Sequence, residues 1–329
     1  MLKTYKELQA INSFSGEKTS IIFDLYWNFA CERQNIFINK KNGTPWPWTK
    51  DPILQKYKFT NAYRASDRVS QFLINNIIYT NNNYREEDIL FRILFFKIFN
   101  KIETWNKVYE NFGDIIYNKK NFSNYCDYFD YLLKKNEHIY SAAYIMPSGN
   151  TAFGYKNKHK NYLALLKYIF NDNITKKVLA AKSLKEIYQI LLSYPMIGPF
   201  LAFQYSIDIN YSELCNFDEM SFVIAGPGAI RGIKKCFPYT KKHPEEIIEM
   251  VAENQDEEFK KRNLIFKRIG NRPLQLIDCQ NLFCEIDKYS RISNPELSVK
   301  NNRIKQKYKP FNNAPIKYKY PPKWHINIT

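Results

Sequence analysis

The sequence predicts a mostly α-helical protein with two helical lobes, and three observations predict it. Apolar residues recur at helical spacing in segment after segment, while strand-like alternation is scarce. Aromatic residues make up 16% of the chain against only 10 glycines, a mix that favours large packed side chains over tight turns. With 329 residues, 45% of them apolar, the chain is long enough for one large core or two modest ones.

The helices follow in order, with no internal repeat. An amphipathic helix is predicted over residues 21–35. Residues 40–49 come next, where Pro45 and Pro47 flank Trp46 and Trp48; two prolines forbid a regular helix and predict an ordered, packed loop. Residues 62–79 carry Val69, Phe72, Leu73 and Ile77 at helical spacing behind Asp67. Thr80 and Asn81 to Asn83 make a loop, and residues 86–102 are apolar on nearly every side, as a central buried helix is. Further helices are predicted over 121–135, 159–170, 183–193, 199–209, 244–265 and 274–289. A helical body of residues 1–298 then gives way to 299–329. From Lys300 on there is no acidic residue, many lysines, and prolines at Pro310, Pro315, Pro321 and Pro322. This is a basic, extended C-terminal tail that tracks phosphates, wraps the body or stays disordered.

Charge gives the first functional hint. A net charge of +17 suits a polyanion, because each lysine or arginine that meets a phosphate releases counterions. Compositional drift toward Lys, Asn, Ile and Tyr is the alternative source of that charge. The six cysteines form no CxxC pair and the four histidines are dispersed, so no metal site and no cofactor is expected. No segment approaches a membrane span and no signal-peptide pattern opens the chain, which leaves the cytoplasm as the expected compartment.

A hairpin between two predicted helices carries the DNA-binding argument: Pro195-Met196-Ile197-Gly198-Pro199-Phe200. Gly198 lets main-chain amides approach a phosphate oxygen, Pro199 suits the first helical turn, and the helix N-terminus adds its dipole. The segment resembles the hairpin of helix-hairpin-helix DNA glycosylases, in which an aspartate follows about twenty residues later. Here that position is Asp218, with Glu219 beside it. The resemblance implies that one of these two carboxylates is catalytic. It further implies that Gln71, in Val69-Ser70-Gln71, fills the gap left by a flipped base. Phe200 stands where bifunctional members keep a lysine, implying a monofunctional enzyme.

Three longer blocks, residues 59–71, 225–233 and 276–288, resemble a narrower group. It comprises the helical domain named after the 5-hydroxymethyl-deoxyuridine DNA kinase and the α-glutamyl/putrescinyl-thymine pyrophosphorylases. Members are tied to phage base hypermodification, and some relatives are anti-phage glycosylases. The chain departs from the group's pattern at Ser221, where an acidic residue often precedes the Phe-Val-x-Ala-Gly-Pro-Gly run.

Other polar clusters join the candidate site. Gly226-Pro227-Gly228 with Arg231, Lys234 and Lys235 reads as a phosphate contact or as a tight turn before a helix. Asn61, Arg64, Asp67 and Arg68 gather at the start of an apolar helix, as a base pocket or as surface ion pairs. Asp278, Asn281 and Glu285 share one helical face, where an amide beside carboxylates suits a base edge or activates water. Glu32-Arg33-Gln34 is a further, weaker cluster.

The expected function is therefore a DNA glycosylase. It would bind double-stranded DNA, flip out a hypermodified pyrimidine such as glucosylated hydroxymethylcytosine and excise it in antiviral defence, a carboxylate stabilising the developing charge at the sugar. The alternatives are a hypermodification transferase of the pyrophosphorylase type, or a non-catalytic DNA-binding subunit. The nearest string to a phosphate-binding loop, Ser15-Gly16-Glu17-Lys18-Thr19, lacks the first glycine of GxxxxGK[ST], which argues against kinase activity.

Overall fold

The computed structural model describes residues 13–80, 83–142, 150–297, 304, 306–308 and 316–326. Its only sheet among these is a two-stranded hairpin, β1 (Ser13–Phe14) and β2 (Glu17–Lys18), so the protein is mostly helical as predicted. Ser15 and Gly16 form the hairpin turn at φ 46° and 81°. The string that came nearest a phosphate-binding loop is thus a tight β-turn and does not open a helix.

The described chain divides into two compact units, interleaved in sequence. The first holds residues up to Asp67, then Phe222–Tyr318 and the last few residues. It begins with the hairpin and α1 (Ile21–Lys41), which Ser20 caps by accepting from the Ile22 N–H at 3.1 Å. α2 (Pro52–Lys56) follows, capped by Asp51, and then a 3-10 turn, Arg64–Ser66. α1 is buried on most sides as far as Phe37 and runs about 1.7 turns beyond the predicted end at residue 35.

The second unit, Arg68–Ser221 with Lys319–His325, begins with α3 (Arg68–Phe72) and a π-helical turn, Leu73–Ile78. The predicted helix over 62–79 is therefore three shorter turns of different pitch. The wide turn leaves carbonyls without helical partners, and buried Arg92 supplies them. Its guanidinium donates to Ile77 O and Asn76 O at 3.1 Å each. Arg92 belongs to α4 (Glu86–Phe99), which ends where Asn100 adopts a left-handed conformation and α5 (Ile102–Phe112) begins. α6 (Asn121–Lys134), α7 (Asn150–Phe153), α8 (Lys158–Asn171) and α9 (Ile174–Ala180) complete the wall around Phe91, Phe95, Phe99, Tyr125 and Phe129. α10 (Leu184–Leu192) and α11 (Pro199–Asn210) flank the predicted hairpin. Asp208 of α11 forms a fully buried pair with Lys97 of α4 at 3.2 Å.

Back in the first unit, α12 (Pro227–Cys236), α13 (Pro244–Glu253), α14 (Gln255–Lys261) and α15 (Leu276–Ser293) close the core against α1. Tyr26 packs on Phe283 with ring centroids 4.6 Å apart, and Trp27 on Phe259 at 4.8 Å. The helix predicted over 244–265 breaks at Asn254, whose side chain donates to Met250 O at 2.8 Å. Parts of the predicted tail lie outside the described residues, Pro310 and Pro315 among them. Its described parts are held in place: Lys58 N–H donates to Gln306 O at 3.1 Å, and Trp324 packs edge-on against Tyr211 at 5.5 Å.

α12 and α15 are the most intimately packed pair, and two glycines make this possible. A Cβ on Gly232 would sit 1.9 Å from Phe283 O, and one on Gly228 would sit 2.3 Å from Cys284 Sγ. Gly228, read above as part of a phosphate contact or turn, therefore serves helix packing.

Candidate functional site

The first unit gathers most of the predicted pocket residues around one loop, residues 58–67, laid over one face of α15. Arg33 of α1 reaches across from below. Its Nε donates to Thr60 O at 2.9 Å, and its Nη2 donates to Phe59 O at 3.3 Å and to Asn61 Oδ1 at 3.0 Å. From α15, Glu285 Oε2 accepts the Thr60 N–H at 3.2 Å, and Asp278 accepts the N–H groups of Arg64 (2.7 Å) and Gln275 (3.0 Å). The Asn61 side chain donates to Ser66 O at 2.8 Å, and its backbone N–H donates to Asp67 Oδ1 at 2.8 Å. Apart from the 3-10 turn at Arg64–Ser66 the loop has no regular structure, so buried side chains take over the backbone bonding that a helix or sheet would provide.

Electrostatics separate the carboxylates by role. Burial pushes the Asp67 carboxyl up to about 7, against the Asn61 N–H and the Arg33 charge, which favour ionisation. Its Oδ2 takes no hydrogen bond from any described residue. Asp67 thus offers an acceptor oxygen on a group poised near neutrality. Burial raises Asp278 to about 6, but both its oxygens are spent on backbone N–H groups. Glu285 is tied to Lys288 at 2.7 Å. Asn281 sits half-buried on the same helix. Burial also draws the Arg33 guanidinium pKa down, while Asp67 and Glu285 hold it up.

Several predicted residues lie elsewhere. Arg68 is half-exposed in the second unit and pairs with Glu103 at 3.6 Å. Gln71 is 1% exposed and locked to the Lys319 backbone, its Nε2 donating to Lys319 O at 3.0 Å and its Oε1 accepting from Lys319 N at 2.9 Å. It is therefore no probe of a duplex, and the tail explains why: the partner sits 248 residues away in sequence. Arg231 and Lys235 pair with buried Asp287 at 3.0 and 3.1 Å, together with Arg291 at 2.6 Å. Those cations neutralise a carboxylate of their own fold. Lys234 stays exposed.

Asp218 and Glu219 belong to the second unit. Asp218 is exposed and closes a turn, its Oδ1 accepting the Met220 N–H at 2.9 Å, while Glu219 is 3% exposed. In the hairpin, Gly198 has φ −82°, which any residue adopts, and the left-handed position falls on Met196 at φ 66°. No atom of a described residue lies within 4 Å of where a Gly198 Cβ would be. Gly198, Pro199 and Phe200 are exposed, while Ile197 is buried and anchors the turn.

Among the described residues, no group of three or more His, Cys, Asp or Glu side chains is arranged to hold a metal ion, and no helix is long and apolar enough to cross a membrane. Burial pushes the thiols of Cys279 and of half-buried Cys284 up to about 12, which removes them as nucleophiles at neutral pH.

The model of one protein family, described as 5-hmdU DNA kinase, helical domain, matches residues 20–299. The chain belongs to that family. The 5-hmdU DNA kinase of Bacillus phage SP10 is 23% identical over 291 residues, which cover 83% of this chain and 45% of the relative. The chain therefore spans less than half the length of that relative. No solved structure matches it.

These matches overturn the glycosylase reading. The family and its relative are named for phosphate transfer to DNA, not for excision of a base, so the hydrolase and defence roles expected for the chain are withdrawn. The transferase alternative fits better. The case against a kinase rested on the missing phosphate-binding loop, and a relative named a kinase matches this chain over only part of its own length. Absence of that loop from the chain therefore no longer weighs against membership of a DNA-phosphorylating system.

Proposed function

We propose that this chain is the part of a DNA-modifying phosphotransferase that engages DNA carrying 5-hydroxymethyl-deoxyuridine and presents the base's hydroxymethyl group for phosphorylation. The observation that carries the reading is the family match, which spans Arg33, the 58–67 loop and α15 together.

The chemistry supports it. In phosphate transfer to an alcohol, the hydroxyl oxygen bonds to the donor phosphorus, the bond to the nucleoside diphosphate breaks with its electron pair, and the hydroxyl proton needs an acceptor. Asp67 Oδ2 is assigned that proton. A carboxylate near pH 7 accepts a proton far better than one at the usual value, and general-base catalysis is worth roughly 10²–10⁴-fold. Arg33, Asn61 and Glu285 are positioning residues that hold the loop bearing Asp67. Exposed Lys234, which lies in the same unit as the 58–67 loop, is assigned to the DNA backbone, in keeping with a net charge of +17.

The test incubates the chain with a terminally labelled nucleoside triphosphate and duplexes that contain either 5-hydroxymethyl-deoxyuridine or thymidine. Nucleoside analysis and duplex affinities are read together. Label on the hydroxymethyl base, or tighter binding of that duplex, supports the reading. No label together with equal affinity for the two duplexes overturns it.

A further inference from the structure

The loop at residues 42–50 holds aromatic rings in an unusual place. Trp46 is 41% exposed, the one exposed tryptophan among the described residues, although Tyr239 and Ile265 are more exposed still. It is nevertheless fixed. Its ring stacks on Tyr308 at 5.4 Å with 15° between planes, and Trp48 meets it edge-on at 5.1 Å and 90°. Trp48 is pinned in turn, its indole N–H donating to Thr44 O at 2.7 Å. Tyr308 is held from the other side, because its N–H donates to Lys56 O at 3.0 Å and Lys307 bridges to Tyr57. Pro45 and Pro47 further restrict the backbone on either side of Trp46.

The surroundings are cationic. Lys40 lies over the Trp48 ring at 5.4 Å, and Lys40, Lys56, Lys58 and Lys307 are all exposed. Between residues 36 and 58 the one acidic residue is Asp51. It is 7% exposed and occupied, capping α2 and accepting from Tyr289 OH at 2.6 Å. No exposed carboxylate in that stretch therefore offsets the lysines.

We propose that Trp46, backed by Tyr308 and rimmed by Lys40, Lys56, Lys58 and Lys307, is a stacking platform for a single strand of DNA. A rigid exposed indole offers a π-face, and a base takes it only when its own face is free. In a duplex those faces are spent on neighbouring bases. The lysines then meet the phosphates of the strand that leaves the platform. An exposed ring in a purely structural role does not need the cations. The proposal goes beyond the hydroxymethyl reading and stands apart from it, because unmodified oligonucleotides test it.

The experiment measures fluorescence anisotropy of a labelled thymidine dodecamer and of a dodecamer duplex with the full chain. Trp46→Ala is expected to weaken strand binding about tenfold, and duplex binding less than about twofold. Trp46→Phe keeps the stack and most of the affinity. Replacing Lys56 and Lys307 together by Gln is expected to lower the salt slope for the strand by about 1.4, two phosphates at about 0.7 each. Equal losses on strand and duplex with Trp46→Ala overturn the platform. Strand affinity unchanged in Trp46→Ala overturns it as well, as does an unchanged salt slope in the double lysine variant, whose exposed substitutions leave the fold intact.

Discussion

Gly232→Ala is the sharpest perturbation of the fold that carries the candidate site. In a mid-helix position with ordinary surroundings the change is stabilising, because alanine is favoured over glycine by about 0.8–1 kcal/mol. Here the sign reverses. The new Cβ would lie 1.9 Å from the carbonyl oxygen of Phe283 and 2.8 Å from its carbonyl carbon. Ordinary contacts sit near 3.5 Å, so α12 and α15 must part by roughly 1.5 Å. The obstacle is backbone in the middle of a helix and cannot swing aside. Overpacking of this kind costs about 1–3 kcal/mol, and the helix-propensity gain offsets only part of it. Against an immovable backbone the cost falls at the upper end, about 3 kcal/mol less the gain of about 1 kcal/mol, and the net of about 2 kcal/mol at about 2–4 °C per kcal/mol predicts a melting point lower by roughly 4–8 °C in circular dichroism at 222 nm. Gly228→Ala is the control. Its Cβ would meet Cys284 Sγ at 2.3 Å, but the next atom only at 3.2 Å, so Gly228→Ala with Cys284→Ala relieves most of the clash. A Gly232→Ala protein that melts at or above the wild-type temperature would refute the close-packing argument, as would a Gly228/Cys284 double variant no more stable than Gly228→Ala alone.

Other expectations follow from the charges. Asp67 has a folded-state pKa of about 7 against an ordinary 3.8, so the folded state holds its proton more tightly than the unfolded chain. Its contribution to stability is fullest below the unfolded value, falls as pH rises from about 4 to 7, and is flat above that. Asp67→Asn removes this dependence, so its urea midpoint gains on wild type between pH 5 and pH 8; a constant difference across that range contradicts the assignment. Lys97→Met leaves Asp208 buried without its cation, and urea titration is expected to show a loss of about 3–5 kcal/mol. A loss below about 1 kcal/mol, as at exposed ion pairs, shows that Asp208 is not desolvated as the structure has it.

Much of the helical pattern was legible because local signals agree with burial. Ser183 at an N-cap, Pro199 at the first turn of α11 and the apolar run of α4 each mark a boundary or a core helix from neighbours alone. Boundaries failed where a distant or backbone feature decides. Residues 62–79 keep helical periodicity, yet the wide turn at Leu73–Ile78 depends on Arg92. The break between α4 and α5 rests on the left-handed Asn100, and the one at Asn254 on a side-chain bond back into α13. The site shows the same division. Asn61, Arg64, Asp67, Asp278 and Glu285 stood out as polar residues set among apolar helical positions, and the fold brings them together. Arg33 drew less weight, because its partners lie 26–28 residues away with nothing local to announce them. The available signal was an arginine in the polar run Glu32-Arg33-Gln34, set between the apolar stretches of α1. Gln71 shows the converse: its partner is a tail backbone that no local pattern reveals. The spacing from the hairpin to Asp218 points to a glycosylase active site, a reading the family match overturns, and Asp218 itself closes an exposed turn.

The central claim is that the 58–67 loop, through Asp67, engages a hydroxymethyl group on DNA. Its most direct test compares duplexes identical except for one 5-hydroxymethyl-deoxyuridine in place of thymidine, titrated with wild type and with Asp67→Asn. One hydrogen bond to a charged group is worth about 1.5–3 kcal/mol, so wild type is expected to prefer the hydroxymethyl duplex by roughly tenfold or more. Asp67→Asn should lose most of that preference while holding thymidine DNA as before. Equal binding of both duplexes by wild type, or a preference that survives in Asp67→Asn, would contradict the account.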